Sequence, residues 1–280
     1  MASPPSAQDT VMHAEVLPGL VKRGGREYQG YVLRTLEHEP ITVTLAAIDF
    51  FSRHTSDMLP AQRSAQGSLL RAMENWPRAS QTELGLPSPK YMKRIIRDIG
   101  CLFFFDTLHD VRFSWGNGTG DYGYYTPSEF YQHHEGRRND ASITVNAEYH
   151  NPEKLMVELF GTLLHECCHA FQSKHFCRDS CADMQCIAGL YRVKGSAGDN
   201  DYTGHGSSYF ILASHVQARA RELLQPDIDL GSPKVELTSD FESFGTFPSE
   251  SHRLLCHSSW RDKILEFCHE ITLRNSVELE

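Results

Sequence analysis

No apolar run in the 280-residue sequence approaches the roughly 20 residues that a helix needs to cross a bilayer. The opening MASPPSAQDTVMHAEVLPGL lacks the basic stretch and the apolar stretch of a secretory signal. Both absences lead us to expect an intracellular protein, nuclear or cytoplasmic, with no membrane partner. An excess of positive charge is also missing. Against 36 Asp and Glu stand 27 Lys and Arg, a formal net charge of -9. Nucleic acid therefore feels no whole-protein attraction and needs a local basic patch. Two clusters exist, Lys90, Lys93, Arg94 and Arg97, then Arg137 and Arg138, and solvated faces are the plainer reading of both. There is no internal repeat and no low-complexity tract. Cysteine is not scarce, but in a reducing compartment the eight thiols are expected to be free, buried or metal-binding rather than bridged.

What is present reads as an ordinary globular chain, with 40% hydrophobic and 22% charged residues. Residues 1 to about 40 mix Pro, Gly and charge without periodicity and read as loose. Helical spacing follows over about 43–57 (Leu45, Ile48, Phe51) and 61–75 (Leu69, Leu70, Met73). A Pro- and Ser-bearing linker leads to Ser88-Pro89, a helix start, with Met92, Ile95, Ile96 and Ile99 on one face of a helix running to about Leu108. Alternation predicts strands at DVRFSWG (Val111, Phe113, Trp115), at the glycine-rich GNGTGDYGYYTP and at SITVNAE (Ile143, Val145, Ala147). The last is read as the edge on which an extended substrate would pair. Asn151-Pro152-Glu153 predicts the start of a long helix. Residues 176–203 form an insert. A second long helix opens at GHGSSYF and stops near Pro226, residues 226–258 are turn-rich, and SSWRDKILEFCHEITLR closes the chain with Ile264, Phe267 and Ile271 inward.

The long helix carries His165-Glu166-Cys167-Cys168-His169, an H-E-x-x-H string. Residues four apart on an α-helix lie about 40° apart in rotation and about 6 Å along the axis, so both imidazoles can face one zinc ion. Glu166, beside the pair and nearer the apolar stripe of Leu155, Met156, Leu159, Leu163, Ala170 and Phe171, is placed to take a proton from water rather than to ligate. The bland reading is a surface helix with two histidines. Cys167 and Cys168 read as small packed hydrophobes.

The third ligand is less direct. His175 sits where the longer H-E-x-x-H-x-x-G-x-x-H pattern ends, but the helix-breaking glycine is replaced by Gln172. If the helix continues, His175 lies about 9 Å beyond His169 and about 120° around the axis, out of reach. Asp183, Asp199 and Asp201 in the insert are alternatives. His205, between Gly204 and Gly206 at a helix mouth, is the better candidate. Cys177, Cys181 and Cys186, with His175, could form a second site, although free thiols are the default. Tyr202, Tyr209 and His215 are candidate donors to a transition state, with packing or surface roles the plainer reading. His133 and His134 read as loop residues.

The order H-E-x-x-H, insert, Gly204-His205-Gly206 and aromatic resembles the SprT-like (Spartan-type) zincin metalloproteases. The preceding helix, VRFSW, a glycine-containing strand and ASITVNAE extend the resemblance over 88–225, about half the chain. It implies an α+β zincin-like domain, a small three-stranded sheet packed on the long helices that carry H-E-x-x-H and the distal histidine. It further implies zinc held by His165, His169 and His205, Glu166 as catalytic base, and Tyr209 as the aromatic after the third ligand. The organisation expected is a helical N-terminal extension (1–87), the protease domain (88–225) and a tail with one amphipathic helix (226–280). The activity implied is zinc-dependent hydrolysis of protein or peptide substrates, with DNA association. The alternatives are a catalytically silent zinc-stapled binding module and a zincin with an Asp third ligand. The sequence departs from the family in Cys167-Cys168, where larger apolar residues are usual, and in its long insert.

Overall fold

The computed structural model describes residues 18–23, 26–31, 40–76, 86–116, 122–127, 141–150, 154–176, 207–225, 227–231 and 250–277. Seven α-helices and two small sheets make up these residues, an α+β arrangement.

Strands β1 (Pro18–Arg23) and β2 (Arg26–Tyr31) pair antiparallel from Pro18↔Tyr31 to Arg23↔Arg26. The segment expected to be loose thus contains a hairpin. Its signal is Gly24-Gly25 between two runs with apolar or aromatic residues, a recognised two-residue hairpin connection.

Helices α1 (Pro40–Phe51), α2 (Pro60–Glu74) and α3 (Pro89–Phe103) follow. The inward face of α1 is Val43, Ala46, Ala47 and Phe50, and Leu45, expected inside, is 41% exposed. In α2, Leu69 and Met73 are buried and Leu70 is only half-buried. The Ser88 cap holds as expected, its Oγ accepting from the Tyr91 amide at 3.3 Å, and Met92, Ile95, Ile96 and Ile99 are all buried. α3 stops at Phe103, short of Leu108, and the chain turns through left-handed Phe105 and Asp106. The Phe105 ring stacks on Phe50 at 4.2 Å, contact that offsets the backbone strain.

Strands β3 (Arg112–Trp115), β4 (Gly123–Thr126) and β5 (Ser142–Val145) form a mixed sheet in the order β3-β5-β4. β5 runs parallel to β3 (Phe113↔Ile143) and antiparallel to β4 (Tyr125↔Ile143). It is the central strand, which corrects its reading as the edge. Ile143, Thr144 and Val145 are all buried, as expected of a strand covered on both faces and paired on both sides. Ala147 belongs to a 3-10 turn, Ala147–Tyr149, not to the strand.

Helix α4 (Leu155–His175) packs on β4, β5 and α3, and α5 (Ser207–Leu223) packs on α4 and α1. The expected start of α4 at Asn151-Pro152-Glu153 lies outside the described residues, as do most of the linker and the insert. Within the stretch expected to be turn-rich lie a packed segment at 227–231 and helix α6 (Glu250–Leu255), before α7 (Ser258–Val277).

One buried apolar cluster includes Phe50 and Leu69, Ile99, Leu163 and Phe210, and Trp260 and Ile264. Residues from all three expected segments therefore share a core. Arg219 of α5, itself buried, donates through Nε to the Phe51 carbonyl at 3.0 Å, capping the end of α1. Among the described residues, no helix is long and apolar enough to cross a membrane.

Candidate metal centre

α4 buries Leu159, Leu163, Ala170 and Phe171 against the sheet and neighbouring helices, which leaves His165 and His169 at the edge of the apolar face, partly buried. Their Nε2 atoms lie 3.1 Å apart. Two imidazoles bound to one tetrahedral zinc at about 2.0–2.1 Å would hold these atoms about 3.3 Å apart, so the pair needs little adjustment to share an ion. A hydrogen bond between the rings accounts for the same distance. The tautomer of His165 is compatible with both, since a metal ion and an N–H of His169 each need a lone pair on the Nε2 of His165. Its Nδ1 lies 2.8 Å from the Leu230 carbonyl oxygen. A carbonyl only accepts, so Nδ1 carries the proton and Nε2 presents a lone pair, the arrangement a metal ligand requires.

Tyr209, fully buried at the start of α5, serves both histidines. Its ring lies 4.7 Å from that of His169, planes 10° apart, and its Oη is 2.6 Å from His165 Nδ1.

Glu166 is buried at 4% exposure, turned toward the sheet. A Cβ on Gly123 of β4 would stand 3.5 Å from Glu166 Cγ and 2.7 Å from Thr162 Cγ2. Glycine at 123 is thus what lets β4 close on this face of α4. His150 supports the same face: its Nδ1–H donates to the Asn146 carbonyl at 3.0 Å and its Nε2 accepts from Thr162 Oγ1 at 3.0 Å. Burial pushes the His150 pKa below its ordinary value, against the opposing pull of the Asn146 carbonyl and the Glu158 charge.

Cys167 and Cys168 are fully buried, and burial pushes both thiols well above their usual range. They are packing residues, as expected, not thiolate ligands. α4 continues unbroken through Gln172 to His175, whose buried ring packs 5.0 Å from Phe171 rather than swinging back to the pair. His215 is elsewhere. Its Nε2 donates to the Leu255 carbonyl at 3.0 Å and its ring meets His257 at 5.5 Å.

His205, Asp183, Asp199, Asp201, Tyr202, the three insert cysteines, His133 and His134 lie outside the described residues. Among the described residues, no group of three or more His, Cys, Asp or Glu could hold a metal. The donor set at His165 and His169 nevertheless fits zinc in chemistry and spacing.

Sequence reading missed the Leu230 carbonyl, which lies beyond the expected domain, and Gly161. A Cβ at Gly161 would fall 1.9 Å from the Asp229 carbonyl oxygen. The available signal was the glycine itself, which costs a helix interior about 1 kcal/mol relative to alanine and so marks a close approach. Comparison with family models, curated proteins and solved structures found no match.

Proposed function

We propose that this chain is a zinc-dependent metallopeptidase of the SprT-like kind, with a zincin-like domain built around α4. The observation that carries the reading is the convergence of the His165 and His169 Nε2 atoms to 3.1 Å. His165, His169 and His205 would hold the ion. When bound, zinc supplies Lewis-acid polarisation of the scissile carbonyl and of a water molecule. Glu166 accepts the proton of the attacking water and returns it to the leaving amine. Its burial against Gly123 restricts the carboxylate to few positions.

The substrate is a protein or peptide taken in extended form. Among the described strands, β4 ends the sheet on the side of α4, next to Glu166, so its free edge replaces β5 as the pairing edge. DNA association, and with it a nuclear rather than cytoplasmic location, rests on the face of α3. There Lys90, Lys93, Arg94 and Arg97 line an open groove of about 490 Å³ together with His109, and among the described residues no carboxylate lines it.

Zinc analysis of purified variants tests the ligand set. Wild type should carry about one zinc per chain. His205→Ala should lower that content and His175→Ala should not. The reverse pattern would overturn the choice of third ligand, and unchanged zinc in His165→Ala and His169→Ala would overturn the centre.

A further inference from the structure

We propose, resting on the metal-centre reading above, that Gln217 and Gly161 are positioning residues that fix His165 in its ligating tautomer by holding the Leu230 carbonyl against it. That carbonyl is 65 residues away in the chain, and three contacts bring it there. Gln217 of α5, buried, accepts from the Leu230 amide through Oε1 at 2.8 Å. Arg221, one turn on, donates from Nε to the Ile228 carbonyl at 2.6 Å. Gly161 lies one turn before His165 on α4, and its missing Cβ is the space that the Asp229 carbonyl fills. Ile228 and Leu230 are buried, so the segment is seated as well as tethered.

The consequence follows from imidazole chemistry. A neutral histidine places its proton on either nitrogen, and a proton on Nε2 blocks that atom as a ligand. The Leu230 carbonyl favours one outcome, because only a protonated Nδ1 can donate to it. Tyr209 Oη, 2.6 Å from the same Nδ1, cannot do this alone. A hydroxyl both donates and accepts, so it satisfies either tautomer. Gln217 is linked to His165 through Leu230, whose amide it holds and whose carbonyl meets the imidazole.

The test uses the metal-free full chain, labelled with ¹⁵N at histidine, as wild type, Gln217→Leu, Gln217→Glu, Gly161→Ala and His165→Ala. Imidazole ¹⁵N shifts report the tautomer, and competition with a chromophoric chelator reports zinc affinity. Wild type should show His165 protonated at Nδ1. Gln217→Leu and Gly161→Ala should mix the tautomers and weaken zinc about 10- to 100-fold, the range for losing an outer partner of a ligand. Gln217→Glu keeps the accepting oxygen and should stay close to wild type. Gly161→Ala is informative because alanine favours the helix, so weakened zinc in a folded protein reports the displaced segment. If both variants keep wild-type affinity while His165→Ala loses zinc, the positioning role is wrong and the metal centre stands. If His165→Ala binds as tightly as wild type, the metal centre fails and this role fails with it.

Discussion

The ring of Tyr209 lies nearly flat on that of His169, 4.7 Å between centroids and 10° between planes, while its hydroxyl reaches His165. One side chain from α5 thus sets the orientation of both motif histidines on α4. Tyr209→Phe keeps the ring face, and Tyr209→Leu loses it. Chemical denaturation of the metal-free protein should find the leucine variant less stable than the phenylalanine variant by about 0.5–1.5 kcal/mol beyond the difference in buried area, the range for an aromatic pair. Equal stabilities would mean that the stack orders nothing.

Gly123 supplies a second prediction, one that separates the proposed base, Glu166, from the proposed ligands. A methyl group there would stand 2.7 Å from Thr162 Cγ2 and 3.1 Å from the Thr144 carbonyl oxygen, so β4 or Thr162 must shift and Glu166 moves with them. Gly123→Ala should lower kcat/KM for an unfolded protein substrate by roughly 10- to 100-fold, as expected when a catalytic group is displaced by a fraction of an ångström to an ångström. Zinc affinity, measured by chelator competition, should change little. A fall in zinc affinity matching the fall in rate would place Gly123 in support of the histidines instead.

His150 makes stability depend on pH. Its folded-state pKa lies below the unfolded value of about 6.5, so the fold prefers the neutral ring. The contribution is complete above about pH 6.5 and is lost as pH falls from there through the folded pKa. His215, whose pKa burial also lowers, acts with the same sign. His150→Gln should therefore reduce, without abolishing, the loss of stability between pH 7 and 5 in urea melts. An unchanged slope would show that His150 is not titrating against the fold.

DNA should bind weakly. Lys90, Lys93, Arg94 and Arg97 are exposed on α3, a footprint of about four phosphates at most. With four contacts, log affinity for duplex DNA should fall against log salt with a slope of about 3 to 4, losing about two orders of magnitude between 50 and 200 mM. Fluorescence anisotropy of labelled duplexes measures this. Submicromolar binding at about 150 mM salt, abolished by charge reversal of these four residues, would show a larger nucleic-acid role.

The parts of this fold that were legible in the sequence are the local ones. Ser88 caps α3 because a serine oxygen reaches an amide three residues on, and that chemistry is visible in four residues. The isoleucines of α3 and the spacing of His165 and His169 follow from helix periodicity in the same way, and Gln172, a good helix former in place of the longer motif's glycine, left open the continuation to His175 that α4 makes. Sheet order is not local. Alternation at Ile143 and Val145 identifies a strand, but only its neighbours make it central, and the burial of Thr144 between them depends on what covers it. Leu45 was misplaced because its neighbours in space, not its spacing, decide which stripe of α1 faces α5. The Leu230 carbonyl has no side-chain signature, since any residue brings one.

Cleavage of a fluorogenic, unfolded casein by metal-stripped protein, titrated with zinc, tests zinc-dependent peptide hydrolysis most directly when wild type is run beside Glu166→Gln. Wild type should gain activity up to about one equivalent of zinc, and Glu166→Gln, folded and loaded, should remain about 100-fold slower or more, because an amide cannot take the water's proton. Equal rates for the two proteins, or full wild-type activity without zinc, would contradict the assignment.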